Sequence, residues 1–294
     1  MQTNLTCRKT VASGFVLKLI GMPLLFILFP LFPLLFLCPS QAHSTEYLTV
    51  SGCSVSNVGY LTELADEYEK RTGVKVFVRG GGSVVGIEDL RSGKVDFAAS
   101  CRPRDAGDPA DITYIQVAWD ALAFIVHKSN PVENVSLDDV RSIYAGRITD
   151  WKQLKGRDAP IKIFISRTKK GLSGVEASTK HLVLNGKEPA ESANTVFVAS
   201  SGIVEQMVEE NSGGFATTGI TSARKRNVKI LKVNGIAPTN KAIINNRYPL
   251  KRPLFILMPK NPKPEVKKFV DFTLSKAGQQ FIKSLNVISI QDVK

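Results

Sequence analysis

Apolar positions along the chain follow two alternating rhythms, and the alternation predicts an α/β fold. Short runs rich in β-branched residues read as strands: Tyr47 to Val50, Lys75 to Val78, Val95 to Ala99, Ala121 to Val126, Ile161 to Ile165, Phe215 to Ile220 and Leu254 to Met258. Between them, apolar residues return at helical spacing. Leu61, Leu64, Ala65 and Tyr68 form one stripe, with Glu63, Asp66, Glu67 and Lys70 on the opposite side. Similar spacing predicts helices from Val84 to Ser92, Leu137 to Tyr144, Leu172 to Leu184 and Ser201 to Glu210. Asp150 to Leu154 reads as a short helical piece, and a C-terminal helix carries Val266, Phe269, Val270, Phe272 and Leu274, then Phe281 and Ile282.

The first 42 residues break this rhythm. They hold Arg8, Lys9 and Lys18, no acidic residue, and an apolar run from Leu19 to Cys38, followed by Ser40-Gln41-Ala42. That is the layout of an export signal cleaved near Ala42. An apolar run of about 20 residues could also span a bilayer as an uncleaved anchor; Pro23, Pro30 and Pro33 argue against a permanent helix. The expected product is a soluble exported protein of roughly 250 residues, long enough for one large domain or two lobes.

Composition adds constraints. Hydrophobic residues make up 43% of the chain, which excludes a disordered polymer. The formal charge is +13, and removal of the leader's three basic residues leaves about +10. Such a balance suits attraction of anions. The basic residues are dispersed and no aromatic-basic platform accompanies them, so nucleic-acid binding is a poor fit. Cys7 and Cys38 lie in the leader, leaving Cys53 and Cys101. In an exported chain two such thiols are expected to form a disulfide; a redox-sensing pair or a contact to a soft ligand is the alternative. With only His43, His127 and His181 after the leader, no metal site or cofactor is expected.

Three turns share a design in which a strand ends, small residues expose backbone N–H groups and a helix begins. They are Gly52-Cys53-Ser54-Val55, Gly80-Gly81-Gly82-Ser83, and the segment from Ser166 to Gly174 that contains Arg167, Lys169, Lys170 and Ser173. Each offers donors and a positive helix end to an anion, and Arg167 suits a tetrahedral oxyanion. The glycine loop is not a nucleotide P-loop, because Ile87 stands where that motif requires Lys. A small anion is the guest this leaves.

In this arrangement the chain resembles the phosphate-binding proteins of bacterial phosphate ABC transporters, within the two-lobed periplasmic binding proteins. The resemblance is carried by Gly80 to Ile87, by Leu137 to Trp151, and by the closing stretches Tyr248 to Leu254 and Phe269 to Ser275. It implies a type II binding-protein fold: mixed sheets flanked by helices, with a ligand cleft between lobe one (43–117 plus 247–294) and lobe two (118–246). Carried over position by position, it implies anion contacts from Ser54, the Val55 N–H, Ser83, Arg167 and Ser173. Two positions depart from the family pattern. Gly171-Leu172-Ser173 stands in place of a Ser-Gly-Thr triplet, and Cys101 stands where some members place a proton-accepting Asp.

The resemblance implies phosphate or a related oxyanion as ligand, an inner-membrane ABC permease as partner, a periplasmic or otherwise exported location, a monomer, and no enzymatic activity. Two alternatives remain at this point: a transport-inactive sensor or accessory protein of the same fold, and a phosphate-ester hydrolase. The hydrolase is the weaker. There is no G-x-S-x-G, His127 reads as a strand-end residue, His181 as an exposed helix residue, and Asp120 as a hinge-region polar group.

Overall fold

The computed structural model describes residues 46–168 and 171–293; the expected leader and its cleavage site lie outside the described residues. The sheet strands are β1 (Tyr47–Gly52), β2 (Lys75–Gly80), β3 (Phe97–Ser100), β4 (Ile112–His127), β5 (Asn134–Val135), β6 (Lys162–Thr168), β7 (Gly171–Leu172), β8 (Thr195–Val198), β9 (Gly214–Gly219), β10 (Val228–Ile230), β11 (Lys232–Val233), β12 (Lys251–Pro259) and β13 (Ile288–Ser289). One mixed sheet runs in the order β2-β1-β3-β12-β4-β9-β6-β7, with β8 on β6 and both β10 and β13 on β4.

β4 organises the molecule. Its first half pairs antiparallel with β12, from Ile112 opposite Pro259 to Ala121 opposite Lys251. Its second half pairs with β9, from Leu122 opposite Gly219 to Val126 opposite Phe215. A single 16-residue strand therefore changes partners between Ala121 and Leu122. The apolar run of Ala121 to Val126 predicted only its fully buried half; the first half is largely half-buried and leaves a weaker signal.

Each side of this crossover has its own aromatic core. On the β1–β3 side, Tyr68 meets Phe269 edge to face and Phe97 lies 5.1 Å from Phe269. On the β9 side, Phe215 gathers Phe124, Tyr144 and Trp151. Trp151 is fully buried and donates its indole N–H to the Gly213 carbonyl at 3.0 Å. The Leu137 to Trp151 segment thus serves as the wall of this second core. Its helix opens with a reciprocal capping box between Ser136 and Asp139, worth about 1 kcal/mol.

The helices that matter here are α1 (Ser54–Ser56), which continues through a π turn (Asn57–Leu61) into α2 (Thr62–Thr72), then α3 (Ser83–Arg91), α4 (Leu137–Tyr144), α5 (Gly174–Leu182), α6 (Ser201–Glu210) and α7 (Ile220–Ala223). α5 begins two residues later than predicted, because Ser173 caps it by accepting the Glu176 N–H. The expected C-terminal helix is two helices, Pro264–Leu274 and Lys276–Ser284. Ser275 ends the first in an extended conformation and caps the second through the Gly278 N–H.

Candidate functional site

Four helix beginnings meet where the two halves of the sheet adjoin. α1 starts directly after β1, and α3 follows β2 through Gly81 and Gly82. Gly82 sits at φ 94°, a left-handed conformation that glycine adopts without penalty, and donates its N–H to Gly52 O at 2.8 Å. The caps of α1 and α3, Cys53 and Gly82, make no side-chain hydrogen bond to their helices. Their first-turn N–H groups are therefore the kind of donors that anions satisfy. α5 and α6 arrive from the other side with Ser173 and Ser200 as caps.

The loops touch across the boundary. A Cβ at Gly82 would lie 3.9 Å from Ser173 Cβ, and one at Gly174 would overlap Ser83 Oγ and lie 2.8 Å from Cys101 Sγ. Glycine at 174 is thus what lets the start of α5 come down onto α3. Ser83 Oγ accepts the Cys101 N–H at 3.2 Å and lies 3.7 Å from Cys101 Sγ. Ser173 Oγ lies 3.5 Å from Ser201 Oγ. Ser54, Ser83, Cys101 and Ser173, all expected at the site, are buried, and each stands at or beside this junction. Val55 is also buried, its side chain against Gly219 and its N–H in the first turn of α1.

Two of the expected groups have other neighbours in the fold, and one expected bond is absent. Gly171 and Leu172 fold back on Thr168 and Arg167 as a two-residue hairpin, and Gly171 is exposed at φ 116°, with no described residue within 4 Å of where a Cβ would stand. Gly174 is instead the residue that meets Ser83, and Ser173 lies beside Gly82, because the helix begins there. Arg167 is engaged elsewhere: it bonds Glu191 at 2.6 Å and stacks 4.1 Å over the Phe197 ring. An exposed carboxylate and an aromatic face offer the guanidinium partners at little desolvation cost. The expected disulfide is not formed, and Cys53 and Cys101 are buried free thiols.

The two thiols lie close enough to influence each other's ionisation. Burial pushes the Cys53 thiol up, and the neighbouring Cys101 adds to the rise. Burial also opposes ionisation of Cys101, but the bond from Cys53, the Arg252 charge and the bond from Ser83 outweigh it, so Cys101 is held below the ordinary thiol range. Of the two thiols, Cys101 is thus the easier to ionise, with the Arg252 guanidinium nearby.

Sequence reading missed that guanidinium. Arg252, on β12, is buried beside Asp120 and donates to the Cys101 carbonyl at 3.4 Å. It also missed Glu176, which is 1% exposed. Glu176 Oε1 accepts the Ser166 N–H, whereas Oε2 has no protein partner. Burial raises its carboxyl to about 8, against the lowering effect of the Ser166 N–H, Arg252 and Arg167. The Ser173-x-x-Glu176 spacing, a capping pattern, could have located both the helix start and this carboxyl. Asp120, expected as a hinge-region polar group, is buried on β4 and bonded to Arg252 and Thr221. Among the described residues, no cluster of three or more His, Cys, Asp or Glu is placed to hold a metal ion, and no helix is long and apolar enough to cross a membrane.

Comparison with known proteins places this geometry in context. The family model PBP_like_2, a PBP superfamily domain, matches residues 39–277. The phosphate-binding protein PstS of Borreliella burgdorferi is 29% identical over 279 residues, covering 88% of this chain and 95% of that protein. The protein SphX of Synechococcus elongatus is likewise 29% identical, over 83% of this chain and 78% of its own length. Among solved structures, a Clostridium perfringens substrate-binding protein assigned to phosphate ABC transport, solved with bound phosphate, superimposes with a TM-score of 0.73. It is 26% identical and covers 83% of this chain and all of that one.

Proposed function

The chain belongs to the PBP superfamily, and on that premise we propose that it is an exported receptor that captures phosphate or a closely similar oxyanion and delivers it to an ABC permease. The observation that carries the reading is the convergence of the α1 and α3 starts, which lack side-chain caps, with the serine-capped starts of α5 and α6. Backbone N–H groups and serine hydroxyls can replace a multiply charged anion's hydration shell without bringing in mobile countercharges. The named relatives and the phosphate-bound structure support phosphate as that anion.

In this reading lobe one comprises 43–117 plus 247–294 and lobe two 118–246, hinged where β4 exchanges β12 for β9. Ser54, the Val55 N–H, Ser83 and Ser173 hold the anion, while Arg252 supplies a fixed positive charge behind Cys101. Arg167 contributes only by leaving Glu191. The outcome is binding and release rather than turnover, by a monomer without a cofactor, outside the cytoplasm. Isothermal titration with phosphate, sulfate and arsenate tests this. Submicromolar phosphate binding that Ser83→Ala weakens at least tenfold is expected; absence of heat with every oxyanion would instead favour a sensor or accessory role.

A further inference from the structure

The dithiol at the helix junction has chemistry that phosphate does not use. β1 and β3 are parallel neighbours with Gly52 opposite Ala99, and the Cys53 N–H donates to the Ala99 carbonyl at 2.9 Å. Cys53 and Cys101 therefore follow the ends of two strands that run about 4.8 Å apart. Both thiols are free, and each shifts the other's ionisation. Cys101 Sγ lies 3.7 Å from Ser83 Oγ, so the pair borders the serine assigned above to the anion.

The cover over Cys101 comes from α5. A Cβ on Gly174 would stand 2.8 Å from Cys101 Sγ, and Ser178 Oγ donates to the Cys101 carbonyl at 3.4 Å. In the two-lobe reading these contacts part when the lobes open, and Cys101 then faces the space that Ser83 and Ser173 border. The surroundings also limit which soft guest can enter. Arg252 reaches the Cys101 carbonyl at 3.4 Å, and the start of α3, without a side-chain cap, adds partial positive charge. A soft metal cation is repelled there, whereas a small uncharged oxyacid is not. Cys101, the thiol more easily ionised, is the nucleophile that such a guest meets.

We infer that Cys53 and Cys101 form a dithiol site for a trivalent, thiophilic oxyacid such as arsenite, a guest similar in size to the oxyanion proposed for the junction. In the binding step the uncharged trihydroxide condenses with both thiols. Two arsenic–sulfur bonds form, two arsenic–oxygen bonds break, and each thiol proton leaves with a hydroxyl as water. Arsenic stays trivalent and no electron changes hands. One hydroxyl remains on arsenic, on the side of Ser83. Two sulfurs make the attachment a chelate, whose second bond forms at high effective concentration. The inference rests on the two-lobe reading above, because parting of α5 from the Cys101 loop opens the site, and not on phosphate being the natural guest.

Equilibrium dialysis of the anaerobically purified full chain against sodium arsenite tests it, with phosphate titrated in parallel. One arsenic per chain is expected, and the intact mass should gain one As–OH unit in exchange for two thiol hydrogens. Cys53→Ser and Cys101→Ser should each weaken arsenite at least a hundredfold, with cooperative thermal unfolding certifying that each variant is folded. Cys53→Ala and Cys101→Ala serve where a serine variant does not fold. Saturating phosphate should weaken arsenite at least tenfold, because both guests occupy the junction. Arsenite uptake undiminished in the variants would overturn the inference, by assigning the binding to hydroxyls alone. Uptake seen only after denaturation would overturn it too, as would uptake indifferent to phosphate in a chain that binds phosphate. No arsenite uptake while phosphate binds would remove the inference and leave the phosphate reading standing. Thiol-dependent arsenite uptake without phosphate binding would keep the inference and remove the phosphate reading.

Discussion

Arg252 and Asp120 form a buried ion pair at the point where the chain crosses between the two halves of the sheet. Arg252 Nε and Nη2 both reach Asp120 Oδ2, at 3.0 and 2.8 Å, and the side chains are 2% and 0% exposed. The two residues are directly opposite in the β4–β12 register. Asp120 Oδ1 is satisfied from the other side, by the N–H and hydroxyl of Thr221 at the start of α7. One carboxylate therefore ties β12, β4 and α7 together at the crossover, and its arginine partner faces the Cys101 loop.

Removing one member of this pair leaves an uncompensated charge in the interior, which costs more than the pair contributes. Asp120→Ala is expected to destabilise the fold by about 3–5 kcal/mol in urea denaturation, whereas the double change Asp120→Leu with Arg252→Met should cost much less. Equal losses for the single and double variants would show that the pair is not the reason for the destabilisation.

Gly174 should behave differently. A methyl group there collides with Ser83 Oγ and crowds Cys101 Sγ, contacts made only when the α5 start meets the α3 start. Gly174→Ala is expected to lower phosphate affinity at least tenfold while changing the melting temperature by no more than a few degrees. Unchanged affinity would mean that the two loops need not approach for binding.

Glu176 gives a pH signature. Its folded carboxyl sits near 8, above the ordinary value of 4.5, so the native state binds its proton more tightly than the unfolded chain does. The favourable contribution from holding that proton is complete at acid pH, below the unfolded value, and is lost as pH rises toward 8. The full effect amounts to roughly 3–5 kcal/mol. Glu176→Gln should flatten the fall in stability between about pH 5 and 8; a parallel slope in the variant would show that the carboxyl ionises freely in the fold.

The cysteines are testable by alkylation. Iodoacetamide added to the denatured, non-reduced protein is expected to label both Cys53 and Cys101, because both are free thiols. In the native protein, the lower-titrating Cys101 should react first once the loops part, and saturating phosphate should slow it. Mass spectrometry showing neither thiol labelled after denaturation would establish a disulfide instead.

Much of this molecule was legible along the chain. Strand and helix identities followed from apolar periodicity, because burial of one face imposes a period whatever the neighbours are. The loops carrying Ser54 and Ser83 were found for a similar reason: small residues between a strand and a helix mark exposed backbone donors before any packing is known. Segments with half-exposed sides, such as β8 (Thr195–Val198) and the first half of β4, left no such trace.

Tertiary structure alone decided the partnerships. Residue type made Arg167 an obvious anion ligand, yet Glu191 and Phe197 lie within its reach only in the fold and take it. Arg252 reads as one more surface cation until register places it opposite Asp120 and burial gives its charge range. Local patterning dictates which backbone groups are left unpaired at a helix start; which long side chain faces them depends on contacts between residues far apart in sequence, where small differences in desolvation and reach choose the partner.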